Sequence, residues 1–282
     1  MTHQSMNNMN RIIFYFFLFT CLITLVSSCE KSDSIDLYGA RPVVQGYLSA
    51  GDSISIEITK EIPIGSADTI AEPLTGLDIL ISTGGQSIAL IETQPGIYTS
   101  NQKIISELTY TLEFEYGGKL VTAHTTVPTP PVDFAMSASE LAIAQIVFGG
   151  GGFPGGFSGL PDPVLLTWTN TDQSYYLTSY INTDTIQVPI FSGGPNFRGR
   201  GRIAFNPPTQ GISAQIQPFQ LEYYGLYHIG LLHVQPEYAA LYENNNQLSS
   251  INIAPPPTNI ENGLGIFTGY AQTTLNLLVK KQ

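Results

Sequence analysis

The chain has 282 residues, a net charge of −11, and 22 acidic against 11 basic side chains, with only 12% of residues charged. That balance excludes a nucleic-acid binder, whose target selects for Lys and Arg, and a body that lies flat on anionic lipid. Two cysteines alongside 15 Tyr, 14 Phe and 27 Gly point to a β-rich protein held together by its core rather than by disulfides.

At the front, Arg11 is the only charged side chain before Glu30, and residues 12–26 are almost wholly apolar. The run then stops on Ser27-Ser28-Cys29. A short basic start, about 15 apolar residues and a small-residue end make an export signal. A membrane span is the alternative, but it wants about 20 apolar residues, and this run is broken by Thr20 and Thr24. The stretch Val26-Ser27-Ser28-Cys29 resembles the lipobox of bacterial lipoproteins. The resemblance implies that residues 1–28 are removed and that Cys29 carries lipid. Cys21 leaves with the leader, so the mature chain is expected to have no disulfide. Each buried methylene of an acyl chain contributes about 0.8 kcal/mol, and two or three chains anchor stably. Residues 29–39 are polar and aperiodic, a tether with an extended reach of roughly 35 Å at about 3.3 Å per residue.

Residues 40–130 read as short strands separated by turn signals. Strands are expected at 42–48, 53–59, 76–82 and 88–92, with a further start at Gly96-Ile97-Tyr98. In 53–59, Ile54, Ile56 and Ile58 share one face. The clearest element is a hairpin at 110–127 around Gly117-Gly118, a two-residue turn that needs positive φ. That turn sets Phe114 opposite Val121, Leu112 opposite Ala123 and Tyr110 opposite Thr125 on the core face, with Glu115 beside Leu120 and Thr111 beside His124 outside. About seven strands without a helix suggest an immunoglobulin-like or transthyretin-like β-sandwich. Pro128-Thr129-Pro130-Pro131 ends this unit as a stiff linker.

Residues 131–282 are expected to form a second β-rich domain. Strands 164–169 and 175–182 look like a pair around residues 170–174, with Trp168 in the core. Further strands are expected at 186–191, 203–205, 212–217, 221–234 and 269–280. One helix is expected near 236–246, with Pro236 at its first position and Tyr238, Leu241 and Tyr242 on one face.

The search for chemistry finds little. His228 and His233 differ by five and fall on opposite faces of a strand, so they do not read as a metal pair. His124 falls on the outer face of the hairpin. With His228 and His233 it completes the mature histidines, and no thiol nucleophile accompanies them, so a hydrolase triad lacks support. Glu113 and Glu115 read as solvated strand residues. No cofactor and no metal are expected. Residues 149–159 read Gly-Gly-Gly-Gly-Phe-Pro-Gly-Gly-Phe-Ser-Gly. They form either a plain loop or a plastic contact loop presenting Phe153 and Phe157 to a partner. Arg198, Arg200 and Arg202 are three of the four arginines of the mature chain. They are either a solubilising hairpin edge or a contact for an acidic group, such as a carboxylate loop of a partner or a lipopolysaccharide phosphate. The tyrosines of the second region, Tyr175, Tyr176, Tyr180, Tyr223, Tyr224, Tyr227, Tyr238 and Tyr242, read mostly as core. A minority on one face could stack on sugars or bind peptide.

Two motifs carry a family resemblance. The front one is Cys29-Glu30, Pro42-Val43-Val44-Gln45-Gly46-Tyr47-Leu48, Gly96-Ile97-Tyr98 and Val127-Pro128. The rear one runs without a break from Pro256 through Asn259-Ile260-Glu261-Asn262-Gly263 to Gly269-Tyr270. Together they resemble a lipoprotein family of Bacteroidota catalogued as a domain of unknown function. The family is often encoded beside TonB-dependent outer-membrane receptors. The resemblance implies an immunoglobulin-like domain joined to a second β domain, and it assigns no catalytic residues. The Gly-rich loop and the Arg run depart from its pattern. On this reading the protein is expected to bind rather than catalyse, anchored in the outer membrane through Cys29. Its expected partner is a TonB-dependent β-barrel, which it assists in nutrient capture. A structural or assembly subunit of an outer-membrane complex is the alternative, and a glycan- or peptide-acting enzyme is the remaining class.

Overall fold

The computed structural model describes residues 40–63, 66–67, 69–147, 160–192, 203–243 and 257–282. Strict alternation makes the first two strands, β1 (Pro42–Ser49) and β2 (Ser53–Lys60). Val44, Leu48, Ile54, Ile56 and Ile58 are buried on one face, while Gln45, Tyr47, Ser55 and Glu57 are exposed on the other. Each such aliphatic side chain contributes about 1.5–3 kcal/mol when fully buried. There follow β3 (Leu80–Thr83), β4 (Gln86–Ala89), β5 (Ile91–Gln94), β6 (Ile97–Lys103), β7 (Thr109–Tyr116) and β8 (Lys119–Thr126). The β7–β8 hairpin has the expected register throughout, from Tyr110 opposite Thr125 to Glu115 opposite Leu120. Gly117 and Gly118 turn it at φ of 58° and 73°.

The second half supplies β9 (Val132–Met136), β10 (Glu140–Ile143), β11 (Ile146–Val147), β12 (Val164–Thr169) and β13 (Tyr175–Asn182). Next come β14 (Phe191–Ser192), β15 (Ile203–Phe205), β16 (Ser213–Ile216) and β17 (Gly225–Val234), then the helix α1 (Pro236–Glu243) and β18 (Leu264–Lys281). The chain is all-β with this one short α-helix among the described residues.

The described strands form one large sheet and three small ones. The large sheet runs β15-β13-β17-β18-β1-β2-β6-β5, with β10 added alongside β18. Its centre is the parallel pair of β1 with the first part of β18, from Val43 opposite Leu264 to Ser49 opposite Tyr270. The rest of β18 pairs antiparallel with β17, from Tyr270 opposite Val234 to Val279 opposite Gly225. One strand thus joins residues of both halves.

Alternation along β18 places Phe267, Gly269, Ala271, Leu277 and Val279 on one face, all buried. The four-stranded sheet β4-β3-β7-β8 closes the first core on that face, burying Ile81, Tyr110, Leu112, Phe114 and Val121 against β1, β2 and Phe267. The three-stranded sheet β16-β12-β9 contributes to the second core, where Leu166, Trp168 and Ile216 meet Tyr180, Tyr227, Ile229 and Leu277. The proline stretch 128–131 separates the two cores but not the large sheet. Its backbone is held there from β17 and β18, with His233 Nδ1 at 2.9 Å from the Thr129 carbonyl and the Thr273 hydroxyl donating to the Pro131 carbonyl at 3.3 Å.

Several elements differ from the sequence reading. β12 and β13 do not pair. β12 lies between β9 and β16, and β13 between β15 and β17. The loop between them changes sheets, fixed by Asn170, whose amide donates to the carbonyls of Ser174 and Gln210 at 2.9 Å each. The expected strand 186–191 shrinks to Phe191–Ser192, because Pro189 has no N–H for a ladder and Ile186 is exposed. The strand at 88–92 divides at Leu90, which is buried where its N–H donates to the Ile79 carbonyl, so the chain passes from β4 to β5 in another sheet. The strand at 76–82 starts only at Leu80, and that at 221–234 only at Gly225. The last strand starts five residues earlier than expected, at Leu264.

Candidate functional site: the outward face of the large sheet

The proposed lipid-bearing Cys29 and the contact candidates Phe153, Phe157, Arg198, Arg200 and Arg202 lie outside the described residues. Apart from Cys29-Glu30 and Pro256, the two family motifs are described, and their strands meet in space. The Pro42–Leu48 part of the front motif lies in β1, and the rear motif runs into β18, its parallel neighbour. Gly46 is needed because a Cβ there would sit 2.6 Å from the Phe267 ring. Gly265 holds φ of +94°, and a Cβ on it would lie 2.0 Å from the Val44 carbonyl oxygen. These glycines let β1 and β18 close on each other.

Between Leu264 and Gly269, β18 has β1 on one side and, among the described residues, no paired strand on the other. Side chains satisfy that edge instead. Asn259 accepts the Phe267 N–H at 3.0 Å and donates to the Phe267 carbonyl at 2.7 Å, as a neighbouring strand would. The Gly269 N–H donates to the Thr125 hydroxyl at 2.9 Å. Thr125 in turn donates to Glu237 Oε1 at 2.7 Å, which also accepts from Thr268 at 3.1 Å. The rear motif therefore does structural work, and Glu237 ties the start of α1 to β8 and to the first part of β18.

The histidines stand as their odd spacing requires. His233 lies on the covered face, stacked on Tyr176 with ring centroids 4.8 Å apart. His228 is exposed on the other face, opposite Ile181 and Asn276. Among the described residues no three His, Cys, Asp or Glu side chains come close enough to hold a metal.

The tyrosines divide as well. Tyr176, Tyr180, Tyr224 and Tyr227 are buried. Tyr238 and Tyr242 of α1 are half-buried and meet Tyr47 of β1, which sequence reasoning passed over because it lies in the first half. Tyr47 and Tyr238 contact edge to face at 6.3 Å, and Tyr238 and Tyr242 lie 5.7 Å apart with their hydroxyls at 3.3 Å. Burial, and then the neighbouring Tyr242 hydroxyl, pushes the Tyr238 phenol far above its ordinary value. Tyr47 is raised in the same direction by burial and by Tyr242. The cluster is a neutral, amphipathic surface at ordinary pH.

A family model described as a domain of unknown function (DUF4249) matches residues 32–276. The chain belongs to this family. The match takes in most of both cores and both motifs apart from Cys29-Glu30, and the large sheet except the end of β18. No curated protein matches the chain.

Beyond the tyrosines, the outward face continues over β18, β17, β13 and β15. Residues of equal parity line up across these strands. One row is Phe205, Ser179, Gly230 and Thr274, and the next is Ile203, Ile181, His228 and Asn276. Among the described residues of this face from Tyr270 to Leu278, Leu226 to Val234, Tyr175 to Ile181 and Ile203 to Phe205, none is Asp, Glu, Lys or Arg.

Proposed function

We propose that the protein is a lipid-anchored binding protein of the outer membrane, the accessory partner of a TonB-dependent transporter in nutrient capture. The observation that carries the location is the leader closing on Val26-Ser27-Ser28-Cys29. Acyl chains on Cys29 hold the body, and the tether 29–39 gives it reach. Binding rather than catalysis is supported by the exposed part of the outward face, where Tyr47, Phe205, His228, Thr274 and Asn276 stand in solvent. Rigid aromatic anchors among neutral donors and acceptors favour recognition at low entropic cost. The β-barrel partner and the Bacteroidota setting rest on the resemblance of the two motifs.

Pull-down of the tagged full-length chain from detergent-solubilised outer membranes tests this reading. A TonB-dependent barrel is expected in the eluate, together with a mass for Cys29 that includes acyl chains. Recovery of the protein alone, or an unmodified residue 29, overturns it. Deletion should produce a growth defect on one nutrient; a general envelope defect would instead support an assembly role.

A further inference from the structure

We propose that the end of the molecule where β1 begins dips aliphatic side chains into the lipid leaflet that holds the anchor. The inference rests on the reading of Cys29 as lipidated. It adds which end of the body touches the membrane, and through which residues.

The sheets bring four pieces of chain to this end. Pro42 opens β1 opposite Lys60, the last residue of β2, and Val43 stands opposite Leu264, the first of β18. Beyond β2 the chain leaves the sheet and returns at Glu72. The Lys60 N–H donates to the Glu72 carbonyl at 2.8 Å, and the Lys60 ammonium meets the Glu72 carboxylate at 2.8 Å. The turn of the β7–β8 hairpin arrives at the same place. Asn262, beside Gly263 and the Pro42 carbonyl, donates to the Leu120 carbonyl at 2.8 Å. The Glu72 carboxylate, and after it the Tyr116 hydroxyl at the hairpin's end, raise the pKa of the Lys60 ammonium.

Large aliphatic side chains stand in water here. Ile70 is 84% exposed, the highest value of any large apolar side chain described, and Leu120 and Ile62 are 51% and 38% exposed. Ile62 and Ile70 each lie two residues beyond the closing pair of Lys60 and Glu72. A connection shaped only for solubility would carry polar groups at such positions. The charges beside them are paired. Arg41 donates twice to Glu61, at 2.7 and 2.8 Å, and Lys60 holds Glu72. Paired charges lose less on leaving water than lone carboxylates do. The contact is a tip, so the acidic body stays in solvent.

The covalent chain names lipid as the occupant. Ala40 leads straight into β1, and only residues 30–39 separate it from Cys29, a reach of at most roughly 35 Å at about 3.3 Å per residue. The end that carries the tether is held near the leaflet, and a high local concentration makes a weak insertion persist. Ile186 is almost as exposed, at 80%, but follows Thr183, whose N–H donates to the carbonyl of Leu226, opposite Leu278 at the far end of β18. It marks an apolar loop that the tether does not hold at the leaflet.

A lipid-bearing sulfur does not react, and Cys21 leaves with the leader, so one introduced cysteine takes one label. Thr69→Cys and Thr185→Cys place a nitrobenzoxadiazole fluorophore next to Ile70 and Ile186 in the full-length lipoprotein. Each is reconstituted into phosphatidylcholine–phosphatidylethanolamine vesicles containing nitroxide-labelled lipid. The label at 69 is expected to be quenched at least twice as strongly as the label at 185. Adding Ile62→Ser and Ile70→Ser to Thr69→Cys should bring its quenching down to the level at 185. All four positions are exposed, and circular dichroism checks the fold of each variant. Equal quenching at 69 and 185 overturns the proposal, as does quenching at 69 that survives the two serines. The unsubstituted chain reports on the anchor. If it floats with the vesicles and takes up no label while 69 and 185 are quenched alike, the anchor stands and the dipping end falls. If it takes up label or fails to float, the anchor fails and the inference goes with it.

Discussion

Tyr238 shows how burial and neighbours act on one side chain. Its phenol titrates far above its ordinary value, because a charged tyrosinate would sit half-buried beside the hydroxyl of Tyr242. In the unfolded chain a tyrosine titrates near 10. The folded value is raised, so the stabilisation is complete below about pH 10 and is lost as the pH climbs through the native value. The urea midpoint is therefore expected to hold from pH 7 to 9 and to fall above about pH 10, with a shallower fall in Tyr238→Phe. A denaturation series at closely spaced pH values measures both slopes. Equal slopes in the two proteins would refute the assignment. The tyrosine-rich composition of the second region was plain in the sequence. The partner Tyr47 was not, because it comes from a strand some 190 residues away and reaches α1 only through the parallel pairing of β1 with β18.

At the scale of elements, the edge of β18 is completed by side chains. Asn259→Ala removes the partners of both backbone groups of the fully buried Phe267. It is expected to cost about 2–4 kcal/mol, the penalty for orphaning a buried donor and an acceptor together. Urea denaturation of the variant measures it, and a loss below about 0.5 kcal/mol would mean that water reaches this edge. Local pattern made the hairpin β7–β8 legible to the residue, since a two-glycine turn fixes register and alternation fixes the face. The pairing of β12 and β13 was misread for the opposite reason. Two strands joined by a short polar loop look like a hairpin, and nothing local reveals that Asn170 pins a loop that changes sheets. The candidate face was hidden likewise. Its rows are built from four strands, and only their registers show that Phe205, Ser179, Gly230 and Thr274 are neighbours.

At the scale of the molecule, two cores lie on one side of one sheet, and β18 belongs to both. Trp168, the single tryptophan, is buried in the second core. Ile56, fully buried, lies in the first. Ile56→Ala should destabilise by about 2–5 kcal/mol through lost burial and the cavity left behind. Because the sheet is shared, the Trp168 fluorescence transition is expected to shift with the far-ultraviolet transition. A Trp168 transition that stays in place would mean that the cores unfold separately. The parallel pairing of β1 with β18 also dictates an order of events. A ribosome delivers Pro42 more than 200 residues before Leu264, the first residue of the strand that must lie beside it. Until then β1 has an open flank, a template for the wrong neighbour, and closing so long a loop is slow. Whether it emerges from a ribosome or from an export channel, the chain leaves that flank open until its last strand arrives.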